Sequence, residues 1–127
     1  MDILTSIPVK TRSPRTFDNL LLESIDETLT DLVGAQTRQM IFDYLKCYIS
    51  REEIPRQPAK FSRLLEEISG RAARVICGAA VKRLYAKLGW QFYEIHGFEV
   101  VDYIDAARTR LRREDEQQSR TVIQKFD

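Results

Sequence analysis

Apolar residues recur along this chain at three- and four-residue intervals, and glycines interrupt the recurrence. Leu22, Ile25, Leu29 and Leu32 follow 3-4-3 spacing, widened by Phe17 and Leu21, which predicts an amphipathic helix over residues 17–33. Gly34 stands where a left-handed cap would end it. Ile41, Tyr44, Leu45 and Tyr48 predict a second helix over 36–49. Ser50-Arg51-Glu52-Glu53 then matches a capping box, but Ile54-Pro55 follows at once, so at most one helical turn is expected there. Phe61, Leu64, Leu65 and Ile68 set the buried face of a third helix over 59–69, ended by Gly70. A fourth runs over 71–88, with Ala73, Ile76, Cys77, Ala80, Val81, Leu84 and Leu88 inward and Gly89 at its end. Gly78, Ala79 and Ala80 make its middle narrow, so another helix can approach closely.

The pattern changes after Gly89. Trp90, Phe92, Tyr93, Ile95 and Phe98 crowd together before Val100, Val101, Ile104 and Leu111 resume helical spacing, which predicts a fifth helix over 98–118. Gly97 would separate it from a shorter turn of helix. A strand over 91–101 competes on aromatic and β-branched density, but it would have no partner strand. The charged run 108–120 reads as a solvated helical face. Val122, Ile123 and Phe126 form a small apolar tail suited to docking on a partner. Residues 1–16 carry Lys10, Arg12 and Arg15 among Pro8 and Pro14, an extended basic arm. The expected fold is all-α: a compact bundle of about five helices in one domain over 17–120, with the arm before it and a tail over 121–127.

Composition narrows the function classes. The chain has 127 residues and a formal net charge of +1, so it is no general nucleic-acid sponge and only a local patch could serve that purpose. Cys47 and Cys77 lack a Cys or His at metal-ligand spacing and read as free thiols of a reducing compartment. No apolar run reaches signal-peptide or membrane-span character, so the expected location is the cytoplasm.

Charge is segregated. Asp18, Glu23, Asp26, Glu27 and Asp31 give the first helix only negative charge, while Arg71, Arg74, Lys82, Arg83 and Lys87 give the fourth only positive charge. Arg71, Arg74 and Lys82 share a rough face, and Arg83 and Lys87 form a neighbouring stripe. One reading is complementarity, the acidic helix lying beside the basic one. The other is a phosphate-contacting surface, aided by the arm and by Arg108, Arg110, Arg112 and Arg113. The second and third helices are not joined by the short turn of a helix-turn-helix, which weighs against sequence-specific DNA reading.

No constellation points to catalysis. His96, the single histidine, sits in an aromatic segment beside Gly97 and reads as a packed or surface imidazole. Neighbouring carboxylates such as Asp26-Glu27 and Glu66-Glu67 point about 100° apart on a helix and do not converge. Calcium-loop spacing, a phosphate loop, a dinucleotide fingerprint and a nucleophile elbow are all missing. No catalytic residue, cofactor or metal is therefore expected.

Ser24-Ile25-Asp26-Glu27, Leu32-Val33-Gly34, Arg51-Glu52-Glu53-Ile54-Pro55, Pro58, Phe61 and Leu84-Tyr85-Ala86-Lys87-Leu88-Gly89 together form a recognisable order of short pieces. Over residues 17–89 the chain resembles an uncharacterised archaeal helical family, the Nitrosopumilus-type output domain. The resemblance implies an archaeal source and a module found alone or attached to signal-receiver domains. It implies no catalytic residue. Two departures stand out: Arg71 and Arg74 where the family has a glycine-rich link, and everything after Gly89.

The expected function is a non-enzymatic signalling or regulatory interaction module working through helical surfaces, as a homodimer and with a protein partner. The fourth helix supplies one surface. Trp90, Phe92, Tyr93, Phe98, Val101 and Ile104 supply either an oligomer contact or an internal core under the fifth helix. The alternative is a nucleic-acid-binding regulator using the basic fourth helix.

Overall fold

A computed structural model describes residues 14–125, and side chains within 17–117. It is all-α: helices α1 (Pro14–Leu45), α2 (Pro58–Ser69), α3 (Ala72–Lys87) and α4 (Val100–Lys125), with a 3-10 helix (Arg51–Arg56) between α1 and α2. No strand occurs among the described residues. Most of the expected arm, and the side chains of the apolar tail, lie outside the described residues.

Helix α1 joins two of the predicted segments, and Gly34 divides them. Gly34 has φ 89° and ψ 159°, a backbone region open essentially to glycine alone. In a straight helix Asp26 and Arg38 would stand about 18 Å apart at about 1.5 Å per residue. Here the Arg38 guanidinium is 3.0 Å from Asp26, so the chain turns sharply at Gly34. Arg51 reaches the other oxygen of Asp26 at 3.1 Å, and both guanidiniums lie over the Phe42 ring. One carboxylate thus ties the two halves of α1 to each other and to the 3-10 helix.

The capping box forms as read: Glu53 N–H donates to Ser50 Oγ, and Ser50 N–H donates to Glu53 Oε1. Hydrogen bonding from Ser50, its backbone N–H first, holds the Glu53 carboxyl below its ordinary pKa. The helix the capping box starts is longer than the single turn expected. It continues as 3-10 through Pro55 to Arg56, because Ile54 and Pro55 are buried and anchor it.

The core draws on every element. Phe17, Leu21, Ile25 and Leu29 of α1 meet Ile76, Cys77, Ala80, Val81 and Leu84 of α3, with Phe61, Leu64 and Leu65 of α2 and Ile104, Ala107 and Leu111 of α4. The α3 face is the one its periodicity predicts, except that Leu88 lies past the helix end and is only half-buried. The α1 face is rotated from the predicted one: Leu22 is only half-buried and Leu32 is 50% exposed, while Ser24 and Thr28 are buried. Serine and threonine are small enough to be buried on this face without holding the neighbouring elements apart. Ser24 Oγ meets its needs locally by donating to the Leu20 carbonyl at 2.8 Å. Thr28 Oγ1 is buried with no partner. Ile68 and Tyr48, both expected inward, are exposed, and Phe42, which the spacing did not select, is buried.

Helix α4 begins at Val100, and no turn of helix precedes Gly97. Residues 88–99 form an irregular connector. Helix α3 stops in a Schellman motif: Trp90 N–H donates to the Tyr85 carbonyl and Gly89 N–H to that of Ala86, with Gly89 at φ 78°. This turn aims Trp90 and Phe92 back onto Tyr85, edge-on at 5.7 and 5.3 Å. Tyr103 completes the cluster, and its hydroxyl accepts from Ile95 N–H at 2.8 Å. The connector is therefore fixed by aromatic packing in place of a backbone ladder.

Thr28→Val replaces an unpaired buried hydroxyl with a methyl of the same shape. It is expected to stabilise the fold by about 1 kcal/mol, read as a rise in the urea midpoint at constant m.

Candidate interaction site

The five cations read from the fourth predicted helix, Arg71 standing just before α3, divide into two sets. Arg83 pairs with Glu27 at 3.4 Å and closely with Asp31. Lys87 pairs with Glu23 at 3.4 Å and Glu27 at 3.1 Å. For this stripe the complementarity reading holds. Hydrogen bonding to Asp31 raises the Arg83 pKa; desolvation pulls that of Lys87 down, but its bonds to Glu27 and Glu23 outweigh it and the net shift is upward.

Arg71, Arg74 and Lys82 point away from α1 and have no ion pair among the described residues. Arg74 and Lys82 line a groove of about 600 Å³ between α2, α3 and the connector. Its floor is Gly78 and Ala79, and exposed Val75 lies on the same helical face. These positions repeat at 74/75, 78/79 and 82, the spacing of one helix face. Space above the floor is open, for a Cβ added to Gly78 would meet nothing within 4 Å. Phe92, Phe98 and Tyr103 form the far wall, with Glu66, Glu94 and Glu99 among the charged lining residues. Arg71 continues the basic edge beside Gly70 in an adjoining hollow.

Helix α3 is thus apolar or small on two faces. One is covered by α1 and the other floors the groove. A helix of this kind is ordinarily enclosed on both sides.

The candidate oligomer residues do not form one exposed patch. Ile104 is core at 4% exposure, and Trp90, Phe92 and Val101 are half-buried. Arg110 covers the Trp90 ring at 4.1 Å, and Lys82 lies 5.8 Å from the Phe92 ring centre. Tyr93, at 69% exposure, and Phe98 remain open. The internal reading describes the first group, and an outward surface remains only at the connector's tip.

The further cations proposed for phosphate contact are dispersed. Arg108 donates to Asp18 and to the Pro55 carbonyl and lies over Phe17, locking α4 onto α1 and the 3-10 helix. Arg110 pairs with Glu114 at 3.0 Å. Lys10, Arg12 and Arg15 fall outside the described side chains. His96 is exposed at the turn before Gly97. Among the described residues no group of three or more His, Cys, Asp or Glu could hold a metal ion, and no helix is long and apolar enough to cross a membrane.

Sequence reading did not find the ion-pair roles of Arg38, Arg51 and Arg108, the last of which it assigned to phosphate contact. Each sits among ordinary polar residues, and its carboxylate partner is 12, 25 or 90 residues away. No local spacing signals such a pair.

No family model, curated protein or solved structure matches this chain. The output-domain likeness over residues 17–89 rests on the sequence pieces alone.

Replacing Arg83 and Lys87 together by alanine should lower the urea midpoint, whereas replacing Arg71 and Arg74 should leave it unchanged. The thiols separate as well. Cys47 is exposed, and burial pushes the Cys77 thiol up to about 11. At pH 8 one thiol should alkylate rapidly and the second only on unfolding. Well below pH 9 the Cys77 thiol is protonated folded and unfolded, so it adds no slope. Between pH 9 and about 11 the unfolded thiol ionises first, so this group lowers stability as pH rises through that window.

Proposed function

We propose that this chain is a non-enzymatic interaction module that docks a helix of a partner protein along the outer face of α3. One observation carries the reading: α3 has a second small and apolar face, Val75, Gly78 and Ala79, flooring an open groove between charged edges. Small residues let a second backbone come close, and Arg74 and Lys82, one turn to either side, can fix its register. The signalling-output role and archaeal source follow from the resemblance over 17–89 and belong to this proposal.

The nucleic-acid reading has less support. Arg83, Lys87, Arg108 and Arg110 are engaged with carboxylates inside the fold. Arg74 and Lys82 share their groove with Glu66, Glu94 and Glu99, which repel a phosphate backbone.

A displayed library of amphipathic helical peptides tests the proposal. Selected peptides should bind the wild-type chain and lose at least about tenfold in affinity to Ala79→Arg, with little change for Arg112→Ala. Binding should survive moderate salt. Selected peptides indifferent to Ala79→Arg, or tight salt-sensitive binding of a short duplex lost with Arg71, Arg74 and Lys82, would overturn it.

A further inference from the structure

Among the described residues, every ion pair that joins distant parts of the chain follows one pattern. The acid comes from residues 17–33 and the base from the rest of the molecule. Asp18 takes Arg56 and Arg108, Asp26 takes Arg38 and Arg51, Glu27 takes Arg83 and Lys87, Glu23 takes Lys87 and Asp31 takes Arg83. The same segment buries Phe17, Leu21, Ile25 and Leu29 against the remaining core. It is a self-contained acidic and apolar plug seated in a basic and apolar body. A single non-helical residue, Gly34, joins plug to body within α1.

We propose that residues 17–33 are an exchangeable element, and that the partner able to receive them is a second copy of this chain. If Gly34 takes helical dihedrals, α1 becomes one straight rod of 32 residues, and its acidic half can no longer reach its own body. The body of a second copy offers the same apolar slot and the same cations, and the reciprocal insertion closes the pair with two-fold symmetry. Every ion pair above is remade between chains. Good helix formers stand close on both sides of Gly34: Leu32 precedes it, and Ala35 and Gln36 follow. Leu32 and Met40, 50% and 65% exposed in the closed chain, flank the hinge and would be brought together where two straight helices cross. This inference is independent of the groove, because plug and groove lie on opposite faces of α3.

Lys87 Nζ stands 3.1 Å from Glu27 Oε1, so a zero-length carbodiimide coupling reports which chain supplies the plug. Isotopically light and heavy chains are unfolded, mixed and refolded at high concentration, then coupled, and the Lys87–Glu27 peptides are weighed. In the dimer fraction half of these peptides should be mixed light–heavy, and in the monomer fraction none. Gly34→Ala, which favours the straight form, should raise the dimer association constant about tenfold or more. Two glycines inserted after Gly34 should lower it. A Gly34→Ala chain that stays monomeric with unchanged helicity, or a dimer whose Lys87–Glu27 links all lie within one chain, would overturn the proposal. Should Gly34→Ala not fold, the wild-type mixture decides alone: mixed links support exchange, and their absence or the absence of any dimer refutes it. Ala79→Arg leaves the mixed links intact, so loss of groove binding and loss of exchange are separate results.

Discussion

The seating of one acidic half-helix organises this molecule. Residues 17–33 supply the apolar ridge Phe17, Leu21, Ile25 and Leu29, and on either side of that ridge the carboxylates that receive Arg38, Arg51, Arg56, Arg83, Lys87 and Arg108. The apolar ridge provides most of the driving force, since burying one such side chain is worth roughly 1.5–3 kcal/mol. The ion pairs are half-exposed and individually weak. Their contribution is register: together they fix the rotation of the half-helix against α3, α4, the 3-10 helix and the second half of α1. The rotated face of α1, with Ser24 and Thr28 inward, follows from that fit.

Once the half-helix is seated, the rest has little freedom. Helix α3 lies along it with Ala73, Ile76, Ala80 and Leu84 facing inward. Arg108 draws α4 down onto Asp18 and the Pro55 carbonyl, and the Asp26 hub holds the second half of α1 against the first. The connector then closes by aromatic contacts around Tyr85 and Tyr103. The outer face of α3, which none of these elements covers, is left as the floor of a groove. The proposed docking surface is thus what remains of a helix apolar on two sides after one side has been filled.

Much of this was legible in the chain. Gly34, Gly70 and Gly89 marked breaks because they stand at the ends of periodic runs, and the Ser50–Glu53 pair is local enough to be read by spacing. The buried face of α3 was read in full, since its periodicity is carried by unambiguous side chains. The α1 stripe was misplaced because leucines at 22 and 32 outscore a serine and a threonine that only a close neighbour makes suitable for burial. The connector was misread because glycine dihedrals and ring packing, which dominate there, leave no period. The division of the α3 cations into paired and free sets was hinted at by their two stripes, but which stripe meets the acids depends on how α3 is rolled against α1. The groove was foreshadowed only by the narrow Gly78–Ala80 stretch, as its walls come from three separate elements.

Native-state hydrogen exchange, followed residue by residue, tests the central claim most directly. If the acidic half-helix organises the fold, amides of residues 20–33 and 76–84 should share the slowest exchange and the same opening free energy, equal to that of global unfolding, while residues 90–99 open far more readily. Slow exchange confined to α3, with residues 20–33 opening independently and at much lower free energy, would contradict the account.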